Sequence, residues 1–107
     1  MWWDRKPDPE NYRAPAGVLQ PDQSRTLLLY KRDSCGYCRR VYRAVDSLGM
    51  ELPMKDTQFD GQARAELQQA TGRTQVPCLF IDGEPLFESA DIIAWLNAYA
   101  FHVLNAS

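Results

Sequence analysis

Two cysteines separated by two residues, Cys35 and Cys38, are the side chains best suited to chemistry in this chain. They follow a short apolar run and open a segment whose apolar residues recur with helical spacing, which places them at the start of a helix. The unpaired N–H groups and dipole of a helix N-terminus stabilise a thiolate, the nucleophilic form of cysteine. We therefore predict that Cys35 is the attacking thiol of a redox pair and Cys38 the resolving thiol. Nearby positive charge comes from Lys31, Arg32 and Arg39.

The alternative for such a pair is half of a structural zinc site, which needs four ligands, usually two pairs. The remaining candidates are Cys78 and the single histidine, His102, and they are not spaced as a second pair. The spacing therefore favours redox chemistry without a metal site. Cys78 lies in a strand-like apolar run, so we expect it to be a buried core residue, and we expect His102 to be a surface or core residue rather than a base.

The elements that position the cysteine pair follow from the hydrophobic pattern. Residues 26–31 form an apolar run typical of a buried strand. After Cys38 the period becomes helical until Gly49, which suits a helix C-terminus. Residues 52–55 predict a short second strand. The apolar face of the intervening helix consists of Val41, Val45 and Leu48.

The second half of the chain repeats this alternation and then adds a hairpin. A helix ending at Gly72 precedes a strand over 78–81, and the turn signal Asp82-Gly83 leads into a return strand over 85–87. Ser89 is expected to cap the last helix. The apolar residues that mark the two helices are Ala63, Leu67 and Ala70 in the first, and Ile92, Leu96, Tyr99, Ala100 and Val103 in the second.

The resulting order, β-α-β-α-β-β-α, constrains the topology. A crossover helix makes the first two strands parallel with a right-handed connection, whereas a tight turn makes the last two antiparallel. The predicted fold class is α/β, with a mixed four-stranded sheet and helices on both faces.

Composition excludes several other classes of protein. A chain of 107 residues fits one domain, and 45% hydrophobic residues suffice for a core. A net charge of −2 gives no general attraction to nucleic acid or anionic membranes, and no apolar run approaches the roughly 18 residues of a membrane span. The first residues lack the apolar stretch of a secretory signal. Three cysteines argue against a secreted disulfide scaffold, so we expect a reducing compartment, the cytoplasm.

The first 24 residues differ from the rest of the chain. They hold four of the seven prolines, which disfavour regular structure. We therefore expect an irregular extension over residues 1–24, followed by a single domain over residues 25–107. Within the extension, the pair Trp2-Trp3 is expected to dock an indole on the domain rather than to anchor a partner or a membrane interface.

The tetrad Cys35-Gly36-Tyr37-Cys38, with Val76-Pro77 ahead of the third strand and an acidic start to the last helix, resembles the glutaredoxin family over about residues 26–104. The resemblance implies a thioredoxin-like fold in which Pro77 is a cis proline facing Cys35. The stretch from Glu88 to Ile92 resembles the glutathione site of glutathione-transferase N-terminal domains. Both resemblances imply glutathione as the ligand.

The same resemblance implies how glutathione is held. Its backbone pairs with Val76 as a short added strand, Ser89 and the helix N-terminus receive the γ-glutamyl carboxylate, and Asp91 receives the ammonium. Ordinary helix capping would also explain Ser89 and Asp91. The candidates for the glycyl carboxylate are Lys31, Arg32, Arg73 and Gln62. The predicted glutathione-binding residues are Arg32, Tyr37, Gln75, Val76, Pro77, Glu88, Ser89 and Asp91.

The function implied is a glutathione-dependent thiol–disulfide oxidoreductase, a monomer that reduces glutathione mixed disulfides and protein disulfides with glutathione as cosubstrate.

Three departures from the family pattern leave alternatives open. Gly36 stands where many dithiol members have proline and resembles members that hold a [2Fe–2S] cluster between two subunits, so a cluster carrier with Cys35 as a ligand is the first alternative. Arg32 replaces the usual lysine, and Phe87-Glu88 replaces a Gly-Gly. A transferase-type module is a further alternative.

Overall fold

The computed structural model describes residues 8–105, and its elements follow the predicted order. The strands are β1 (Leu27–Lys31), β2 (Met54–Asp56), β3 (Cys78–Ile81) and β4 (Glu84–Phe87). The helices are α1 (Gly36–Leu48), α2 (Gly61–Thr71) and α3 (Ser89–Tyr99), and α3 runs on into a π-helical turn over Ala100–Leu104. The pair Trp2-Trp3 lies outside the described residues.

The four strands form one mixed sheet in the order β2-β1-β3-β4. β1 pairs with β2 in parallel and with β3 in antiparallel, and β3 pairs with β4 in antiparallel. The β3–β4 turn places Asp82 at φ 48° and Gly83 at φ 87°, the left-handed conformations that a two-residue hairpin favours. The predicted α/β fold class and strand directions are therefore confirmed.

Alternation along the strands divides the core between the two faces of the sheet. Leu29 and Leu79 point to the face covered by α1 and α3, together with Trp95. Their strand neighbours Tyr30 and Cys78 point to the opposite face, covered by α2. Helices thus lie on both faces, as predicted, and Cys78 is fully buried.

The helix ends show one correction to the predicted boundaries. The prediction that Ser89 caps the last helix was wrong: Ser89 is the first residue of α3, and Glu88 holds the cap position at φ 72° without a side-chain hydrogen bond to the helix. A capping serine stands outside the helix in extended conformation, whereas Ser89 is helical and buried. β2 also begins two residues later than predicted, since Pro53 lacks the N–H that a strand needs.

Residues 8–26 contain no helix or strand, and two of them, Pro9 and Leu19, contact α3 or the turn that follows it. The indole Nε1 of Trp95 donates to the carbonyl of Leu19 at 2.8 Å, and Nε2 of His102 lies 2.8 Å from the carbonyl of Pro9. Val18 and Leu19 also pack on the core beneath α3. The domain division between residues 24 and 25 stays a prediction. No helix within residues 8–105 is long and apolar enough to cross a membrane.

Candidate active site

Cys35 lies at the junction where the carboxyl end of β1 leads into α1. It occupies the cap position of α1 with extended backbone angles, and no side-chain oxygen caps the helix there. Its N–H donates to the carbonyl of Arg32 at 3.0 Å, and its carbonyl accepts from Arg39 at 3.2 Å, which fixes the turn. The first-turn N–H groups of α1 are therefore left for the sulfur of Cys35, which is partly exposed.

The environment of Cys35 favours its thiolate. Partial burial disfavours ionisation, but hydrogen bonds from the Cys38 backbone, the Cys38 thiol and the Tyr37 backbone, with the charge of Arg32, outweigh it and lower the pKa of Cys35. Cys38 has no exposed surface. Its burial, together with the neighbouring Cys35, raises the pKa of Cys38 to about 11. The thiolate is therefore favoured at Cys35 and disfavoured at Cys38.

The third cysteine does not belong to this site. Cys78 is fully buried, as predicted, and burial raises the pKa of its thiol to about 12. His102 is exposed beyond the far end of α3. Among the residues that the structure describes, no three His, Cys, Asp or Glu side chains are grouped to hold a metal ion.

A cis peptide bond precedes Pro77, as the family resemblance implies. The carbonyl of Val76 lies 3.9 Å from the Sγ of Cys35 and accepts from its thiol. The loop before β3 therefore faces the thiol, and its backbone is available beside the reacting sulfur.

Next to this loop lies a cavity of about 310 Å³, which we call the Val76 cavity. Six of the eight predicted glutathione-binding residues line it: Tyr37, Gln75, Val76, Pro77, Glu88 and Ser89. The other two do not. Arg32 lies close enough to Cys35 for its charge to act on the thiol, and Asp91, in the first turn of α3, acts on the phenol of Tyr12.

The rim of the Val76 cavity is bridged by polar side chains. Gln75 donates through Nε2 to Glu88 at 3.4 Å and accepts from the guanidinium of Arg73 at 3.2 Å. The Arg73 guanidinium also lies 4.2 Å from the ring centroid of Phe87. Arg73, one candidate for the glycyl carboxylate, therefore has protein partners at the end of the loop.

Lys31, another candidate for that carboxylate, is also engaged by protein groups. Its Nζ lies 2.9 Å from Asp33 and 3.7 Å from Asp56. The same Asp33 oxygen accepts from the hydroxyl of Tyr42 at 2.7 Å. Asp33 and Tyr42 were not among the predicted site residues, since an acidic loop residue and a helical tyrosine carry no distinguishing sequence pattern. The last candidate, Gln62, is exposed on α2 and does not line the Val76 cavity.

The contrast between the thiols predicts a pH dependence of alkylation. Because the pKa of Cys35 is lowered, its thiolate, and thus its reaction with iodoacetamide, is expected to titrate with a midpoint below the ordinary thiol value of about 8.5. Cys38 and Cys78 should resist alkylation until well above that value, since their pKa values are raised to about 11 and 12. Mass spectrometry across a pH series would count the labelled sites.

The control for this titration is the urea-unfolded chain, in which all three thiols should react with midpoints near 8.5. A native midpoint for Cys35 at or above the unfolded value would contradict the stabilised thiolate.

Comparison with known proteins agrees with this geometry. A family model of glutaredoxins matches residues 27–86. Glutaredoxin 3 of Escherichia coli K12 is 32% identical over 68 residues, which cover 62% of this chain and 80% of that protein. The structure of a buckwheat glutaredoxin–glutathione complex is similar with a TM-score of 0.52 and 31% identity, over 63% of this chain and 64% of that one. The holo form of glutaredoxin C1 from Populus tremula x tremuloides gives a TM-score of 0.52 and 27% identity, over 64% and 70%. The chain thus belongs to the glutaredoxin family of thiol–disulfide oxidoreductases.

Proposed function

We propose that this protein reduces glutathione mixed disulfides and protein disulfides, with Cys35 as nucleophile, Cys38 as resolving thiol and glutathione as cosubstrate. The observation that carries the proposal is the lowered pKa of Cys35 beside the Val76 carbonyl and the Val76 cavity. A reducing cytoplasm, which the cysteine count favours, would supply the glutathione.

With a mixed disulfide, the Cys35 thiolate attacks the glutathione sulfur, the disulfide bond breaks, and the protein thiolate leaves and takes up a proton. Cys35 is then joined to glutathione. The thiolate of a second glutathione attacks the glutathione sulfur of this adduct, which releases glutathione disulfide and regenerates the Cys35 thiolate. Each turnover therefore consumes one free glutathione, which leaves joined to the glutathione of the mixed disulfide as glutathione disulfide.

With a protein disulfide, the adduct joins Cys35 to the substrate. Cys38 attacks the Cys35 sulfur, which releases the reduced protein and leaves a Cys35–Cys38 disulfide. Two molecules of glutathione then reduce this disulfide and leave as glutathione disulfide. The charge of Cys35 and its hydrogen bond from the Cys38 thiol are among the causes that raise the pKa of Cys38. Both disappear once Cys35 is in a disulfide, so forming the adduct makes Cys38 easier to ionise. The resolving thiol is therefore activated only when there is an adduct to resolve.

Glutathione fits the Val76 cavity by the chemistry of its lining. The Val76 backbone, beside the Cys35 sulfur, can pair with the extended tripeptide. The helical N–H groups at Ser89 suit the γ-glutamyl carboxylate, and the carboxylate of Glu88, or of Asp91 nearby, suits the ammonium. Of the four candidates for the glycyl carboxylate, Arg32 agrees best with the geometry, because Lys31 and Arg73 are held by protein partners. Glutathione is the ligand of the similar buckwheat protein.

A comparison of two thiol reductants tests this proposal. We expect the wild type to reduce the mixed disulfide of glutathione and 2-mercaptoethanol when glutathione is supplied. Turnover should fall when the donor is cysteinylglycine, because that thiol lacks the γ-glutamyl group that the start of α3 would bind. The rates are measured as disulfide product over time, and the uncatalysed rate with each thiol is the control. Equal catalysis with both donors would contradict the assigned γ-glutamyl contacts, and no catalysis with either would reject the enzyme.

The second candidate function is that of a glutathione-ligated [2Fe–2S] carrier. It is favoured by Gly36, which leaves the start of α1 beside Cys35 without a side chain and resembles family members that hold such a cluster between two subunits. Cys35 is the accessible thiol of each chain, since Cys38 and Cys78 are buried. A cluster would therefore need its other ligands from glutathione and a second copy of the chain. Visible absorbance after anaerobic reconstitution with iron, sulfide and glutathione would support this function, and a colourless protein would rule it out.

A further inference from the structure

The exposed face of α1 carries three arginines beside the reacting thiol. The buried side of this helix holds Cys38, Val41 and Val45. At 100° per residue, the positions on the opposite, solvent side include those of Arg39, Arg40 and Arg43, and all three are exposed.

These arginines border a second cavity, of about 300 Å³, lined by Gly36, Tyr37, Arg39, Arg40 and Arg43; we call it the arginine cavity. Tyr37 lines both this cavity and the Val76 cavity. The two cavities therefore adjoin at Tyr37, two residues from Cys35. One is lined by the residues suited to glutathione, and the other is lined by cationic groups.

Two of the guanidinium groups are held near the start of α1. Nη1 of Arg39 donates to the carbonyl of Asp33 at 3.2 Å, in the loop that carries Cys35. The guanidinium carbon of Arg40 lies 5.3 Å from the ring centroid of Tyr37, as in a cation–π contact. This positive charge is thus fixed at the edge of the active site.

The exposed side of α1 carries a single carboxylate, that of Asp46, against three arginines. Within residues 8–105, none of the three arginines forms an ion pair, whereas Arg25, Lys31 and Lys55 do. The nearby carboxylate of Asp33 is taken by Lys31 and Tyr42. The chain as a whole carries 14 acidic and 12 basic residues, so this local excess of positive charge contrasts with a net charge of −2.

We propose that the arginine face of α1, formed by Arg39, Arg40 and Arg43, docks an acidic polypeptide segment next to the disulfide that Cys35 reduces. The proposal rests on the proposed function and specifies its substrate class. When Cys35 attacks the glutathione sulfur, glutathione occupies the Val76 cavity and the leaving protein lies outside it, where the arginine cavity adjoins. Aspartate or glutamate residues flanking the substrate cysteine would meet the guanidinium groups there, which increases the encounter rate more than the final affinity.

A pair of charged substrates tests this proposal. Two glutathionylated peptides of the same length are compared, one with glutamates and one with lysines flanking the cysteine. At low salt we expect wild-type kcat/KM to be about tenfold higher for the acidic peptide, and the difference should shrink near 0.5 M salt as screening increases. The mixed disulfide of glutathione and 2-mercaptoethanol serves as the uncharged reference.

The variant Arg43→Glu should lower kcat/KM for the acidic peptide about threefold to tenfold at low salt and leave the uncharged reference within twofold. Arg64→Glu makes the same charge change on α2, across the sheet from α1, and should leave both rates nearly unchanged. The proposed docking surface would be overturned if the uncharged reference is turned over but the wild type reduces the two peptides at equal rates. Equal effects of Arg43→Glu and Arg64→Glu on the acidic peptide would overturn it as well. Loss of all wild-type turnover, the reference included, would instead reject the proposed function.

Discussion

Replacing Cys35 with serine is expected to reduce glutathione-dependent turnover of a mixed disulfide to the uncatalysed rate, a loss of at least about 1,000-fold. A serine hydroxyl is not ionised near neutral pH and cannot form the disulfide-bonded intermediate. Every step of the proposed cycle passes through the Cys35 sulfur, so no residual route remains. The measurement is the initial rate with the mixed disulfide of glutathione and 2-mercaptoethanol.

The Cys35→Ser variant is expected to fold, so a loss of its activity can be assigned to the missing thiol. Cys35 occupies the cap position of α1, which serine prefers and which now has no side-chain cap, so Cys35→Ser should fold with equal or greater stability. A thermal melt would show it. Loss of activity in a folded variant then reports on the thiol itself, and turnover above the uncatalysed rate would contradict the assignment of Cys35.

The matched variant Cys38→Ser separates the two half-reactions. Reduction of the glutathione mixed disulfide needs only Cys35 and a second glutathione, so this activity should persist. Reduction of a protein disulfide uses Cys38 for resolution, so that activity should fall. Loss of both in a folded Cys38→Ser variant would show that the buried thiol also supports the first step, through its hydrogen bond to Cys35.

The fold was predictable because its signals are local. Alternation places Leu29 on one face of the sheet and Tyr30 on the other, and the apolar period of α1 identifies its buried side. Glycines in left-handed conformation at Gly49 and Gly72 end two helices where expected. Such features depend on a few neighbouring residues, which a single sequence contains.

The charge pairs of the site were not predictable in this way. Lys31 lies opposite Asp56 in the β1–β2 register and reaches Asp33 in the loop beyond. A register one residue different would separate the strand pair, and the sequence does not define the short second strand that closely. The pairing of Lys31 with two carboxylates, which is the reason for proposing Arg32 as the contact for the glycyl carboxylate, therefore emerges only from the three-dimensional arrangement.

The N-terminal segment was the least predictable part. Its prolines indicate irregular structure, but an irregular segment has no period that reveals which surface it covers. The structure places Leu19 of this segment against Trp95 of α3, the helix whose first residue, Ser89, borders the Val76 cavity. The stability of α3 therefore depends on residues far from it in sequence.

Trp95 connects that segment to the core, and its removal is expected to cost about 3–5 kcal/mol of the free energy of unfolding. The side chain is fully buried, stacks on Tyr99 with ring centroids 5.0 Å apart, and donates from Nε1 to the carbonyl of Leu19. Since a small domain is stable by only about 5–15 kcal/mol in total, Trp95→Ala should shift the urea midpoint far downward or leave the chain unfolded.

Trp95→Phe is the control that separates packing from the hydrogen bond. Phenylalanine keeps most of the buried ring but leaves the Leu19 carbonyl without its donor, so we expect a loss of about 1–3 kcal/mol and faster proteolysis of the N-terminal segment. Urea unfolding followed by circular dichroism would give both free energies. A cost for Trp95→Phe equal to that of Trp95→Ala would mean that the bond to the segment, rather than the ring, provides the stability. A cost below about 1 kcal/mol for Trp95→Ala would contradict the central place of this tryptophan in the core.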